Sequence, residues 1–585
     1  MISVSGKKWE ERKINNRLVE KVQTENKFSN ILSKLIISRN FDENEIDLIE
    51  NKLKFTNIFR YNNDFNLAAK LTENSIRKKE KICILGDYDV DGSVSTALLV
   101  RFFKSIKHPY FYYIPDRIKD GYGASKKLFQ KLILKKPKLV IMVDCGSTSV
   151  EAVDFLNKNK INSLIIDHHE INKPFPKSNM IINPKKNNGY SNYDYLCAST
   201  LVYFFIDLLI KRLKYKINFR RYLIYVLLAT VCDVMPLRKL NRLLSIIALE
   251  EFNFKNNYIF NEIYRLGNKT NKLNINDLGY LVGPILNAGG RLSRSSYATE
   301  LLSSDNKISI NNITNKLIIL NEKRKKIESA ILKNIDFEKI KKENENIIIY
   351  FNPTLNEGLI GIIASKLKDY FDKPSIVITK SKNILKGSAR SILNYNIGKT
   401  IKNSLDKNII INGGGHNMAA GFSLKKENFS SFKRFVKQDC LKRNLKNNRI
   451  NNYETELSTL SLNKRLYDDI KKLSPFGTEN PNPIFLFREI KVIKHQILNN
   501  KHISCILKSK IGISINSISF DSFDTQIGKH LLNYKNYFNV IGYINENFWN
   551  NKKTLQLVIK DLILWFIIDL INKDFSNKRP QNGPF

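Results

Sequence analysis

Short apolar runs punctuate the chain from residue 81 onward. KICILG (81–86), YFYYI (110–114), LVIMV (139–143) and SLII (163–166) are rich in β-branched and aromatic residues, and longer stretches suited to helices separate them. Runs of this size predict strands, and their alternation with helices predicts a parallel sheet with right-handed crossovers. A longer helical stretch covers roughly 196–250. Residues 311–345 are heavily charged and lack Pro and Gly, which predicts a long connecting helix, continuous or interrupted. A second α/β region begins at IIIYF (347–351), and after an Asn/Lys-rich joint near 445–452 the short strand-like runs over about 485–565 suit a small β-barrel. The expected architecture is α/β and multidomain: an N-terminal helical region (1–80), a parallel-sheet domain (81–310), the connecting helix (311–345), the second α/β domain (346–445), the barrel (450–565) and a basic tail (566–585).

Length and charge sharpen this. A chain of 585 residues exceeds one hydrophobic core and predicts about three or four domains. Lys and Arg number 96 against 55 Asp and Glu, a formal net charge of +41 that favours a polyanionic partner, nucleic acid first. Drift in an AT-rich genome also enriches Lys, Asn and Ile, so charge alone supports that partner only modestly. The six cysteines are scattered with no CxxC pair, as expected of reduced thiols. MISVSGKKWEERKINN lacks the apolar run of a signal peptide. The apolar stretches 201–210 and 562–571 are about half a bilayer span, and each contains an Asp. The expectation is a soluble cytoplasmic protein without a membrane partner.

The acids fall at strand ends. Asp87, Asp89 and Asp91 (GDYDVDG) follow the first strand, Asp144 (VDCGS) the third, and Asp167, His168 and His169 (DHHE) the fourth. In a doubly wound sheet these ends share one edge, where ligands bind. Five carboxylates and two imidazoles gathered there would repel one another, and one or two divalent cations would relieve the repulsion. Mixed oxygen and imidazole donors suit Mn²⁺, admit Mg²⁺ and suit Zn²⁺ less well without thiolates. Asp233, in ATVCDVMPL, is a further candidate ligand. Any one of these acids alone would pass as a helix N-cap or a turn carboxylate. A calcium EF-hand is excluded, because its twelfth position requires Glu and the twelfth residue from Asp87 is Leu98.

GDYDVDG, VDCGS, DHH and CDVMPL, in this order, resemble the motif series of the DHH phosphoesterase superfamily. YIPDR…GYGAS (113–125), NAGGRL (287–292), KGSARS (386–391), GGGHNMAAGF (413–422) and LSPFGTENPNPIF (473–485) narrow the resemblance to the RecJ family, over roughly residues 45–565. The resemblance implies a DHH catalytic domain, a DHH-associated domain and a C-terminal OB-fold. It implies a 5′→3′ exonuclease that hydrolyses single-stranded DNA to 5′-mononucleotides in repair and recombination, using two Mn²⁺ or Mg²⁺ ions. The metal ligands would be Asp89, Asp91, Asp144, His168 and Asp233, with Asp87 and His169 in catalytic roles beside them. Arg117, Arg291, Ser388 and Arg390 match positions that hold phosphates in the family, and His416 with Gly414 and Gly415 lies in a phosphate-binding motif. Single-stranded DNA, a single-strand-binding protein and a helicase are the implied partners of a monomer.

Elementary chemistry agrees with these roles. Arginine recognises phosphate with a planar fork, and the glycine run 413–415 would let consecutive N–H groups turn toward an anion. Two bridged cations would activate a water and stabilise both the attacking and leaving oxygens. His169 would orient that water or protonate the leaving 3′-oxygen. The sequence departs from the family at Asn356, where many relatives carry His, at Ile285 in place of Arg, at Glu479 in place of Gly, and at Ala198, Ser199 and Thr200 in place of a glycine-rich stretch. Two rival readings are a phosphoesterase for short RNA or nucleotides, against which the 450–565 segment argues, and a catalytically weakened DNA-binding scaffold, against which the complete ligand set argues.

Overall fold

The strand-and-helix alternation after residue 81 builds a five-stranded parallel sheet. Its order is Tyr110–Tyr113, Ile82–Leu85, Leu139–Val143, Asn162–Ile166 and Met180–Ile182. Ile82–Leu85 and Leu139–Val143 are buried throughout, as central parallel strands covered on both faces must be. The order reverses between these two strands, which places a topological switch point at their carboxyl ends. The last strand, Met180–Ile182, is too short to register in the sequence pattern. The computed structural model describes residues 1–564 except 51–54, 118–119, 122, 187–189, 344–345, 444–449, 534–535 and 550–551.

By packing, the chain divides into two units. One comprises Phe55–Pro236 and Leu240–Leu445 and holds the parallel sheet. Its largest core joins the sheet to helices Val90–Ser105, Ala198–Arg212 and Leu223–Cys232, with stacked Phe59 and Phe65 at 4.4 Å. The apolar stretch 201–210 lies inside the buried helix Ala198–Arg212. Residues 311–345 hold the greater part of helix Lys307–Lys333 and then, after a break, Phe337–Glu343. The same unit contains a second five-stranded sheet, ordered Asn412–Gly415, Ala419–Lys425, Ile384–Arg390, Ser375–Ser381 and Ile348–Phe351, in which only the last pair is parallel.

The other unit comprises Met1–Lys54, Leu237–Lys239 and Lys446–Phe585. Strands Phe485–Leu498, His502–Ser509, Ser514–Ser519, Lys552–Leu564 and Phe538–Trp549 form a ring, closed because the first also pairs with the last. Leu32, Leu35 and Ile36 of helix Asn30–Ser38 join Phe485, Phe487 and Phe538 in one core. The region 1–80 therefore contributes to both units: residues 1–50 pack with the barrel, while helix Asn63–Arg77 packs in the other unit, burying Phe65, Ala68 and Ala69. Strand Lys8–Glu11 pairs in parallel with Ile450–Tyr453; its four residues, KWEE, give no strand signal. The joint near 445–452 falls mostly outside the described residues and the tail 566–585 wholly outside them. Among the described residues, no helix is long and apolar enough to cross a membrane.

Candidate active site

The acidic residues converge on the switch point. Asp89 caps helix Val90–Ser105 by accepting from the Gly92 N–H at 3.0 Å. Gly92 is obligatory there, because a Cβ would lie 2.6 Å from the backbone nitrogen of Asp87. Asp91 turns toward the start of helix Ala198–Arg212 and accepts from the N–H groups of Ala198 and Ser199 at 2.8 and 2.9 Å, and from the Ser199 hydroxyl. The segment that departs from the glycine-rich family pattern thus supplies an additional hydroxyl donor to this carboxylate. Asp144 leaves its strand in the left-handed region at φ 59°, a strained conformation for a residue with a side chain.

His168 stands at the centre. Its Nε2 lies 3.3 Å from Asp144, 3.5 Å from Asp233 and 3.7 Å from Asp91. Among the described residues three donor groups form, each with ligand atoms mutually within 4.8 Å: Asp144, His168 and His169; Asp91, His168 and Asp233; Asp87, Asp89 and Asp144. Both carboxylate oxygens of Asp144, both ring nitrogens of His168, Oδ1 of Asp87 and Oδ2 of Asp233 are buried without a hydrogen bond. Buried polar atoms left this way are costly unless something not of the chain satisfies them.

Asp167 behaves oppositely. Its carboxylate accepts from the N–H groups of Ser147, His168 and His169 and meets His169 Nδ1 at 2.8 Å. Burial works against both charges, but their mutual attraction prevails, holding Asp167 well below the usual carboxylate range and raising His169 to about 9. Burial first, and then neighbouring carboxylates, push Asp87 up to about 8 and Asp144 and Asp233 well above the usual range. Burial also raises Asp91, to about 6, against the pull of the Ser199 hydroxyl. One ion pair is complete, His169 reaches Asp144 only at 3.8 Å, and the acids around the pair outnumber the positive charge beside them. Oxygen donors with one or two imidazoles fit Mn²⁺ or Mg²⁺.

A second set of like charges lies in the same unit. Arg117 sits over the Tyr88 ring at 4.1 Å, with its buried Nε unbonded. Arg291 donates to the Gly358 carbonyl at 3.0 Å, and Arg390 to Ser388 Oγ at 3.2 Å and the Ala389 carbonyl at 2.8 Å. Burial, and then the charges of Arg117, Arg324 and Arg390, lower Arg291 to about 10; burial and Arg117 lower Arg390. A basic cluster that depresses its own pKa values is preorganised for an anion.

Other expectations need revision. The glycine run 413–415 does not turn its N–H groups toward one point: it lies in the extended edge strand Asn412–Gly415, with Gly414 opposite Gly421 and Gly415 opposite Ala420. His416 beyond it stacks on His169, ring centroids 5.5 Å apart. Ile285 is core, 3% exposed, and Asn356 closes its own turn by accepting from the Gly358 N–H at 2.8 Å. Sequence reasoning missed Tyr88, Arg324 and Asn183. Asn183 donates to Ser147 Oγ and the His169 carbonyl, at 2.8 and 2.9 Å, bracing the histidine loop. The Asn-Pro after the short strand Met180–Ile182 was its one available signal.

A parallel sheet with acids and histidines at its switch point, followed by a mostly antiparallel α/β sheet, defines the DHH class. The model of the DHH family N-terminal domain matches residues 81–230, and that of the DHHA1 domain residues 344–442. The RecJ OB domain matches residues 453–561. The single-stranded-DNA-specific exonuclease RecJ of Haemophilus influenzae is 30% identical over 485 residues, covering 78% of this chain and 83% of that protein. The Bacillus subtilis protein of the same name is 27% identical over 579 residues, covering 97% and 72%. The chain belongs to the RecJ family. The crystal structure of RecJ from Thermus thermophilus in complex with Mn²⁺ shares the fold, with a TM-score of 0.79 at 21% identity over 95% of this chain and 79% of that one.

Proposed function

We propose that this protein is a divalent-cation-dependent exonuclease that hydrolyses single-stranded DNA from its 5′ end and releases 5′-mononucleotides. The observation that carries the reading is the occurrence, within one unit, of buried acids and the His168 imidazole that lack hydrogen-bond partners together with half-buried arginines, Arg117, Arg291 and Arg390, that lack ion pairs among the described residues. Relatives named as single-stranded-DNA-specific exonucleases support the substrate, and solved relatives in complex with Mn²⁺ or Mg²⁺ support the metal.

Asp89, Asp91, Asp144, His168 and Asp233 would hold Mn²⁺ or Mg²⁺, with Asp87 alongside. Two such ions, when bound, would supply a water of lowered pKa and neutralise charge on the phosphate oxygens. Arg117, Arg291 and Arg390, with Ser388, grip the phosphates at the 5′ end, and an anchored end makes the cut exonucleolytic. Water oxygen bonds to phosphorus as the bond to the 3′-oxygen breaks. His169, kept protonated by Asp167, delivers the proton that oxygen needs. His416, stacked on His169, covers one face of that imidazole. The barrel holds the strand beyond the cut through backbone charge and base stacking with little sequence preference. The working form is a cytoplasmic monomer acting in repair and recombination beside a single-strand-binding protein and a helicase.

One assay tests this. Single-stranded and duplex DNA, labelled at the 5′ or 3′ end, are incubated with Mn²⁺, Mg²⁺ or EDTA. Labelled mononucleotide should appear at once from the 5′-labelled single strand with metal and nowhere in EDTA. Equal early release from 3′-labelled strands would remove the polarity.

A further inference from the structure

The three arginines of the candidate phosphate grip are not held alike. Arg291 gives an N–H to the Gly358 carbonyl, and Arg390 gives its own to Ser388 and Ala389. Arg117 lies on the loop after strand Tyr110–Tyr113, and among the described residues no hydrogen bond or ion pair restrains its guanidinium. What it meets is a ring. Its Cζ stands 4.1 Å from the centroid of the half-buried Tyr88. A cation this close to an aromatic face is attracted by the ring's quadrupole, and more strongly where water is excluded. The Nε of Arg117 is buried.

Tyr88 is in turn fixed by its place in the chain. It stands between Asp87 and Asp89, in the turn from strand Ile82–Leu85 to helix Val90–Ser105. Gly92 of that helix closes on the backbone of Asp87. From another side Gly290 closes on Tyr88 itself: a Cβ at 290 would lie 3.0 Å from the Tyr88 carbonyl oxygen and 3.6 Å from its Cβ. Gly290 belongs to helix Gly283–Leu292, and Arg291 is its next residue. The ring therefore projects from backbone that two helices confine.

We propose that Tyr88 is a positioning residue: its ring holds the Arg117 guanidinium in place to receive the 5′-terminal phosphate. The proposal rests on the reading of Arg117, Arg291 and Arg390 as the phosphate grip. A ring restrains a guanidinium without using its N–H groups, so Arg117 keeps its planar fork whole for a phosphate, whereas Arg291 and Arg390 have each spent donors on the protein. Because Asp87 and Asp89 flank Tyr88, one turn of backbone sets both the anchor for the strand's end and two acids of the candidate metal site.

The test compares 5′-phosphorylated with 5′-hydroxyl single strands, using the full chain with Tyr88→Leu, Tyr88→Phe or Tyr88→pentafluorophenylalanine. The last keeps the ring's shape and reverses its charge distribution. Selectivity is the ratio of kcat/KM for the two strands, and Mn²⁺ affinity is measured by calorimetry without DNA. Tyr88→Leu should lower selectivity about 2–30-fold, through KM on the phosphorylated strand with little change in kcat, and the fluorinated ring should do the same. Tyr88→Phe should keep parental selectivity, and Mn²⁺ affinity should hold in all three. Arg117→Ala should also lose selectivity, and adding Tyr88→Leu to it should remove nothing more. Parental selectivity in Tyr88→Leu or with the fluorinated ring, or an equal loss on both strands, overturns the positioning role. Parental selectivity in Arg117→Ala overturns the phosphate reading on which that role depends.

Discussion

Two regions of one unit each gather like charges in excess of their counter-charges, the acids around His169 and the arginines beside Arg324, itself paired with Glu328 at 2.9 Å, and they are assembled differently. The acidic site draws on the ends of neighbouring strands and the helices that follow them: Asp87, Asp144 and His168 each stand just beyond a strand of one sheet. The arginine site is collected from a loop (Arg117), a helix end (Arg291) and a strand of the second sheet (Arg390), with Arg324 contributing from the long helix. The acids are fixed by backbone geometry, including the left-handed Asp144, and six of their buried donor atoms wait for a partner. The arginines are held by carbonyls, a hydroxyl and a Tyr face. The difference teaches that the first site is set by the backbone and suits a cation, while the second is made of long side chains whose place is set by hydrogen bonds and a ring face.

The comparison breaks most decisively at Asp144. Asp144→Ala should lower hydrolysis more than about 100-fold, because metal chemistry contributes several kcal/mol and 1.36 kcal/mol is tenfold. Single-strand affinity in EDTA should stay close to parental. A rate within tenfold of the parent would remove Asp144 from the metal site. The arginine site should yield a smaller and more selective loss. Arg291→Ala or Arg390→Ala removes a charge-assisted contact of about 1.5–3 kcal/mol, or roughly 10–150-fold, on 5′-phosphorylated strands. Mn²⁺ affinity should be unchanged, and Lys should rescue only in part.

Acidity sharpens the contrast further. Asp87 is raised to about 8, so the folded, metal-free protein holds a proton there that the unfolded chain releases near pH 4. Its contribution to stability is complete below about pH 4 and is lost as pH rises toward 8. Melting in EDTA should therefore show a fall in stability from pH 5 to pH 8 that is shallower in Asp87→Asn. Mn²⁺ should flatten the parental curve. An identical slope in the two proteins without metal would contradict the burial argument. The smallest effect belongs to a strained residue of the other unit. Glu479 adopts φ 56° where the family pattern has Gly. Glu479→Gly should stabilise the protein by about 0.5 kcal/mol, strain relief of ~1–2 kcal/mol being offset by the backbone freedom glycine adds. Activity should not change.

The acidic site was legible because its residues follow strands, and strand ends of one sheet are neighbours by topology. Sequence order alone placed Asp87, Asp144 and His168 together. The arginines were legible only through the family resemblance, since no spacing rule brings 117, 291 and 390 to one place. Arg324 was lost among the many charges of the long helix. The glycine run 413–415 misled because glycine permits a turn without requiring one; here it allows the close packing of an edge strand, in which a Cβ on Gly415 would come within 2.2 Å of the Ala419 carbonyl. The barrel was read from short runs of strand-like residues. The strand Lys8–Glu11 was not, because its partner lies at the far end of the chain.

That remote partner has a consequence for biosynthesis. Glu10 and Asn452 are joined across 442 residues. At about 5–20 residues per second, the first strand waits roughly 20–90 s for its neighbour to be made. Throughout that interval the intervening unit can complete its own core, while Leu32, Leu35 and Ile36 remain without the barrel residues that bury them. Leu32, Leu35 and Ile36 are thus made well before the residues that bury them, and while they wait they expose an apolar helix face of the kind that chaperones cover.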